Sequence, residues 1–301
     1  MGTVYEAIDR RTGNAVAIKL LGDLDAQRLF RFKKEFRALA DLQHRNLVRL
    51  HELIAEEDRW IISMELIEGH DLFSWLTCRD TDDTSPGVVP PGQHRFDEDR
   101  LRACLPQLAA GVEYLHTAGR IHRDLKPSNV MVDRSGRAVI LDFGLIATSE
   151  ARSSASGHEV VGTAAYMAPE QAKLLPVTPA ADWYAIGTVL FEVITGVLPF
   201  EGGPIDQLLQ KTQRDAPRVS SLVPDVAEDL DELVAALLER EAARRAGSKE
   251  LERAGGVRPR RQATARLVTA VTTGPLVGRD DELDALRAVL AATRDGQPAA
   301  A

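Results

Sequence analysis

His122 to Asn129 reads HRDLKPSN, and a second short run, Asp142-Phe143-Gly144, follows it across two predicted strands. Phe96-Asp97 opens the segment before it, with Asp97 placed as an N-cap. Leu101, Leu105, Leu108, Val112 and Leu115 then keep one apolar face through to His116, which predicts a long helix. Pro106 falls inside that helix and predicts a kink. Beyond the octet, Val130 to Val132 and Ala138 to Leu141 read as short strands joined by the turn Asp133-Arg134-Ser135-Gly136. Taken alone, Asp124 and Asn129 are residues of a loop, and Asp142 is an aspartate at a strand end.

Towards the N-terminus the chain reads as strands. Thr3 to Asp9 alternates, Arg11-Thr12-Gly13-Asn14 turns, and Ala15 to Leu21 continues as a second strand. Phe32, Phe36 and Leu39 are spaced as one face of a helix, and Leu47 to Ile54 and Trp60 to Glu65 fit two more strands. Past Gly69 the pattern changes. A short helix at Leu72 to Leu76 leads into Asp80 to Gln93, a Pro-, Gly- and Asp-rich surface loop.

After Gly162 the chain is mainly helical. Tyr184 to Phe200 is the most apolar stretch, but Glu192, Gly196 and Pro199 interrupt it, so it reads as a buried core helix and not as a membrane span. Asp225 to Glu239 carries an amphipathic stripe of Val226, Leu230, Leu233, Val234 and Leu237. One domain is expected over residues 1–246, followed by a basic linker over 247–275. A new amphipathic helix with Leu283, Leu286 and Leu290 belongs to a segment over 276–301.

Composition narrows the function classes. The 301 residues are 44% hydrophobic and 27% charged, enough for a substantial core. Lys and Arg number 37 against 45 Asp and Glu, a net charge of −8, which disfavours a nonspecific nucleic-acid binder. Cys78 and Cys104 are too few for a disulfide framework and read as reduced thiols. The start lacks the basic and apolar regions of a signal peptide, so a cytoplasmic location is expected.

HRDLKPSN and DFG, together with VAIK at Val16 to Lys19, GTAAYMAPE at Gly162 to Glu170 and DWYAIG at Asp182 to Gly187, resemble the protein kinase superfamily. The likeness is to the eukaryotic-like serine/threonine kinases of bacteria, and the motifs stand in the family's order over Gly2 to about Ala246. The resemblance implies an α+β, bilobal fold with a small β-rich N-lobe (1–67) lacking its first strand and a larger, mainly helical C-lobe (68–246). It implies transfer of the ATP γ-phosphate to protein Ser or Thr hydroxyls, with Mg²⁺, or Mn²⁺ in its place, as the metal.

Phosphoryl transfer needs positioning and charge neutralisation more than covalent help. By resemblance, Asp124 orients or deprotonates the substrate hydroxyl, and Lys126 steadies the transferring phosphate. Asn129 and Asp142 supply oxygens to the metal, a hard cation. Lys19 reaches the phosphates. Glu35, read alone as a surface charge among Lys33, Lys34 and Arg37, becomes its ion-pair partner. Gly2, Val4 and Ala17 line the nucleotide. Met64 is the gatekeeper, and the backbones of Glu65 and Ile67 meet the adenine edge. Asp71 either reaches the ribose or caps a helix.

Arg123 before Asp124 implies control by phosphorylation, with Thr148, Ser149, Ser153, Ser154 and Ser156 as candidate sites and self-association as the route to autophosphorylation. Thr163 and Lys126 favour Ser/Thr substrates. Glu170 with Arg245, and Asp182 under the catalytic loop, are expected braces, and His122 is scaffold.

The sequence departs from the family at its start. Met1-Gly2-Thr3-Val4 matches only the last glycine and valine of the glycine-rich loop, so residues upstream are expected in the natural protein, with weak ATP binding by the chain as it stands. A catalytically weak nucleotide-binding or scaffold module is the alternative. Pro275 to Leu290 resembles the start of a signal-transduction ATPase domain without its phosphate-binding loop, with an ordinary capped helix as the alternative.

Overall fold

In the computed structural model, residues 4–21, 26–56, 59–77, 95–142 and 164–255 are described. The chain divides into a unit over 1–257 and a second over 258–301, the latter outside the described residues. So do the linker beyond 255 and the candidate ATPase start.

The first lobe is an antiparallel sheet of β1 (Val4–Ile8), β2 (Ala15–Leu21), β3 (Leu50–Glu56) and β4 (Arg59–Glu65), in the order β1-β2-β4-β3. Period-two alternation puts Ala17 and Lys19 of β2 on one face, both buried. Register sets Ala17 opposite Met64 and Val4 opposite Lys19. Helix α1 (Ala26–Ala40) buries Phe32, Phe36 and Leu39, the positions whose spacing predicts it. The third strand begins at Leu50, not at the expected Leu47. Leu47 and Val48 are buried but serve as a link to the other lobe, where Leu47 forms an isolated parallel bridge with Ile140.

The second lobe starts with β5 (Gly69–Asp71), which pairs with the hairpin β6 (Val130–Asp133) and β7 (Ala138–Ile140) in the order β5-β6-β7. Gly69 is required here, because a Cβ would lie 1.9 Å from the Val132 carbonyl oxygen. Helix α2 (Leu72–Thr77) is followed by α3 (Glu98–Thr117), whose N-cap Asp97 accepts the Arg100 amide at 2.9 Å. Helix α3 runs through Pro106 without a break. Next come α4 (Pro169–Ala172), α5 (Ala180–Thr195), α6 (Pro204–Gln213) and α7 (Glu228–Leu237). Helix α5 is buried nearly all round, as its apolar composition requires, and stops at Gly196, left-handed at φ 78°. No helix among the described residues is long and apolar enough to cross a membrane.

The domain does not stop at 246. Residues expected in the linker form helix α8 (Ser248–Ala254), with Leu251 wholly buried. Arg102 of α3 holds it: its guanidinium donates to the Ala254 carbonyl at 2.7 Å and to both Asp229 oxygens of α7 at 2.7 and 2.8 Å. Gly255 then passes so close to α3 that a Cβ would lie 2.4 Å from Pro106 Cδ.

Candidate active site between the lobes

The octet at 122–129 is bent into place by a carboxylate from the core. Asp182, with no exposed surface, lies in the first turn of α5. Its Oδ2 accepts the His122 amide and its Oδ1 accepts the Arg123 amide, both at 2.8 Å. His116 Nε2 lies 2.8 Å from Oδ2, a third partner that the sequence reading passed over as the end of a helix. Arg123 thereby sits at φ 66°, the left-handed region that a non-glycine residue enters only when its surroundings impose it.

His122 continues the brace. The Asp124 amide donates to its Nδ1 at 3.3 Å, so the proton belongs on Nε2, which donates to the Leu141 carbonyl at 2.8 Å. The ring is a spacer between the loop and the end of the hairpin. The Leu141 amide in turn donates to the Asn129 carbonyl at 2.8 Å. Asp142, the next residue, is left-handed at φ 55°. The octet and Asp142 are therefore tied together through main-chain bonds.

The side chains converge on this frame. Asn129 Nδ2 donates to the Asp124 carbonyl at 2.7 Å and to Asp124 Oδ2 at 3.0 Å. Lys126 Nζ lies 3.2 Å from the same Oδ2. From the other lobe, Lys19 Nζ reaches Asp142 Oδ2 at 2.6 Å. Lys19 is 3% exposed, and a buried ammonium needs such a partner. The partner is Asp142 and not Glu35. Among the described residues no ion pair joins Lys19 to Glu35, which is half-buried on α1 in the solvated company of Lys33, Lys34 and Arg37.

At the connection between lobes, Met64 is buried and Ile67 half-buried. The Glu65 amide donates to the Arg49 carbonyl at 2.8 Å. The Glu65 side chain has an unforeseen task. It takes Arg137 Nη1 at 2.7 Å and Nη2 at 3.3 Å, clamping the connection to the end of the β6–β7 turn. Asp71 caps α2, with one oxygen on the Ser74 amide and the other on its hydroxyl. Val4 is exposed on β1 and Ala17 is buried on β2.

The second expected brace is bidentate. Arg245 Nη1 and Nη2 donate to Glu170 Oε1 and Oε2 at 2.8 and 3.0 Å, with the Tyr184 ring 5.0 Å from the guanidinium. Gly2, Thr148, Ser149, Ser153, Ser154, Ser156 and Thr163 lie outside the described residues.

The donor set fits a magnesium nucleotide. Asn129 spends its nitrogen on Asp124 and keeps its oxygen, so Asn129 and Asp142 present the hard oxygen ligands that such a cation takes. Lys19 and Lys126 add two cations for phosphate oxygens.

The model for the protein kinase domain matches residues 1–254. The serine/threonine-protein kinase PknL of Mycobacterium tuberculosis is 34% identical over 247 residues, covering 81% of this chain and 58% of PknL. The serine/threonine-protein kinase pkn2 of Myxococcus xanthus is 38% identical over 262 residues, covering 81% of this chain and 29% of pkn2. The chain thus spans well under two thirds of these curated relatives. Among solved structures, the kinase domain of Mycobacterium tuberculosis PknI superposes with a TM-score of 0.61 at 25% identity, covering 85% of this chain and 89% of that one. Rad53 in complex with AMP-PNP gives 0.63 at 26% identity, covering 83% and 60%.

Proposed function

This chain belongs to the protein kinase family, and on that premise we propose that it transfers the γ-phosphate of ATP to serine or threonine hydroxyls of proteins. The observation that carries the reading is the shared grip of Lys126 and Asn129 on Asp124 Oδ2, beside the Lys19–Asp142 bridge. That grip leaves Oδ1 of Asp124 to accept the proton of the incoming hydroxyl. Lys126 stays at the transferring phosphate and offsets its charge, while Lys19 draws the neighbouring phosphate oxygens towards the sheet. Asp142 and Asn129 would hold the metal. When bound, Mg²⁺ (with Mn²⁺ as substitute) neutralises charge developing on the phosphate oxygens. The Glu65 carbonyl and the Ile67 amide orient the base, and the wall of Ala17 and Met64 keeps water from it.

The relatives' names favour Ser/Thr over Tyr, and the AMP-PNP bound by Rad53 favours an adenine nucleotide. The wider reading is cytoplasmic signalling with autophosphorylation between copies in the stretch Asp142 to Glu170, and a tail over 276–301 that starts a signalling ATPase domain. The test is label transfer from γ-labelled ATP to Ser, Thr and Tyr versions of one peptide library, with Mg²⁺ and with chelator. Label on the Ser and Thr peptides that chelation abolishes supports the proposal. Nucleotide binding without transfer overturns it in favour of a scaffold.

A further inference from the structure

A groove of about 530 Å³ runs between the connection of the lobes and the segment over 42–49 that joins α1 to β3. A second cavity of about 360 Å³ adjoins it, since Glu65 and Arg137 line both. Side chains alternate along β4, so Glu65 points away from the face that carries Met64 and its register partner Ala17. The groove therefore lies on the side away from the wall assigned to the base, and phosphoryl transfer makes no use of it.

Its charge runs against that of the chain, which is −8 overall. The first cavity has three arginines, Arg45, Arg49 and Arg137, against one carboxylate, Glu65. Arg137 is spent on Glu65, at 2.7 and 3.3 Å. Arg45 and Arg49 are exposed, and among the described residues neither guanidinium has a hydrogen bond or an ion pair. His51 joins them on the same wall. It is the extra residue of a β-bulge in β3, because Leu50 and Glu52 stand opposite the consecutive residues Met64 and Ser63. Nearby acids are engaged elsewhere: Glu52 takes Arg11 Nη2 at 2.8 Å, and Asp133 Oδ1 accepts the Ser135 and Arg137 amides at 2.8 and 3.0 Å.

The main chain under the two open arginines is pinned. The Arg45 carbonyl accepts Arg137 Nε at 2.6 Å, and the Arg49 carbonyl accepts the Glu65 amide at 2.8 Å. The Arg49 amide donates to Glu65 Oε2 at 3.3 Å. A ligand thus meets a wall that is already built, and less of its binding energy goes into ordering it.

We propose that this groove docks an acidic, extended segment of a protein partner, with Arg45 and Arg49 taking its carboxylates. A guanidinium fork matches a carboxylate in two parallel bonds. Leu42 and Leu47 line the cavity between the charges and suit an aliphatic side chain beside them. Two adjoining cavities suit a strand-like chain more than a compact ion. Two open cations match a short acidic run, whereas a nucleic acid would meet the repulsion of a net charge of −8. The inference does not rest on the transfer reaction.

The experiment measures fluorescence anisotropy of a labelled peptide that alternates Glu with Leu, and of its Gln–Leu counterpart. The wild type should bind the Glu peptide with a dissociation constant below about 1 mM, and several-fold more weakly as salt rises from about 50 to about 300 mM. Arg45→Gln/Arg49→Gln should weaken binding roughly tenfold, with the ATP dissociation constant and thermal midpoint unchanged. Lys34→Gln/Arg37→Gln, which removes two exposed charges from α1, should leave it level. No saturable binding, equal binding of the Gln peptide, or an equal loss in both double variants overturns the proposal. Tighter binding of a single-stranded oligonucleotide, or pairing of copies that Arg45→Gln/Arg49→Gln abolishes, gives the groove another occupant and overturns it too. Should that variant fail to fold, hydrogen exchange of the wild type with and without the Glu peptide decides. Slower exchange over 42–51 supports the proposal, and exchange that does not change there overturns it.

Discussion

Arg123 donates its main-chain N–H to Oδ1 of Asp182 at 2.8 Å while held at φ 66°. A buried carboxylate on the core helix thus maintains a strained turn one residue before Asp124. The His122 amide on the second oxygen doubles the hold. Strain of this kind costs on the order of 1–3 kcal/mol and persists only where the surroundings over-determine it.

Asp182→Asn keeps one acceptor and aims an NH₂ group at a main-chain N–H. The variant should lose about 3 kcal/mol of stability in urea unfolding and drop kcat well beyond any change in ATP KM. Wild-type stability in the variant would show that the turn is held by something else.

The domain boundary gives a second test. A chain ending at Ala246 loses Leu251, worth about 2–3 kcal/mol by burial, and the Ala254 carbonyl that Arg102 uses. Its denaturation midpoint should fall clearly below that of a chain ending at Gly255, which should match the full chain. Equal midpoints for the two shorter chains would place the boundary back at 246.

Cys104, 1% exposed on α3, has its thiol pushed up to about 12 by burial. The folded protein holds this proton over a range where the unfolded chain, starting near 9.0, has released it. The contribution is fully present below about pH 9 and is lost as pH climbs towards 12. At pH about 8, iodoacetamide should leave the Cys104 peptide unmodified in the native protein and alkylate it in urea. Rapid native alkylation would show that α3 opens.

Legibility in the sequence followed the range of the interaction. Strands β2 and β4 and helix α3 announce themselves by period, and Asp97 by its place before an apolar stripe, because these are local patterns. Among the residues that the motifs single out, Asn129 bonds Asp124 and Lys19 bonds Asp142. What escaped was held from a distance. Helix α8 looks like linker because Leu251 and Ala254 are its only apolar residues, and its anchor Arg102 lies on a helix far upstream. Glu65 pairs with Arg137 across the lobes, and Lys211 spends its charge on three carbonyls; nothing in either residue's neighbours in sequence marks it. Leu47 and Val48 are as apolar as a strand requires, yet period alone cannot separate a strand from a buried connection. The Lys19–Glu35 pairing was carried over from the family, and here a nearer carboxylate, Asp142, takes the ammonium.

The central claim is that Asp124, gripped through one oxygen by Lys126 and Asn129, receives the hydroxyl proton. Asp124→Asn preserves shape and removes the base, so label transfer from γ-labelled ATP to a Ser peptide is the measurement. The account predicts a loss of roughly 10²–10⁴-fold in kcat with the nucleotide dissociation constant and thermal midpoint nearly unchanged. An Asp124→Asn enzyme that transfers phosphate at the wild-type rate would contradict it.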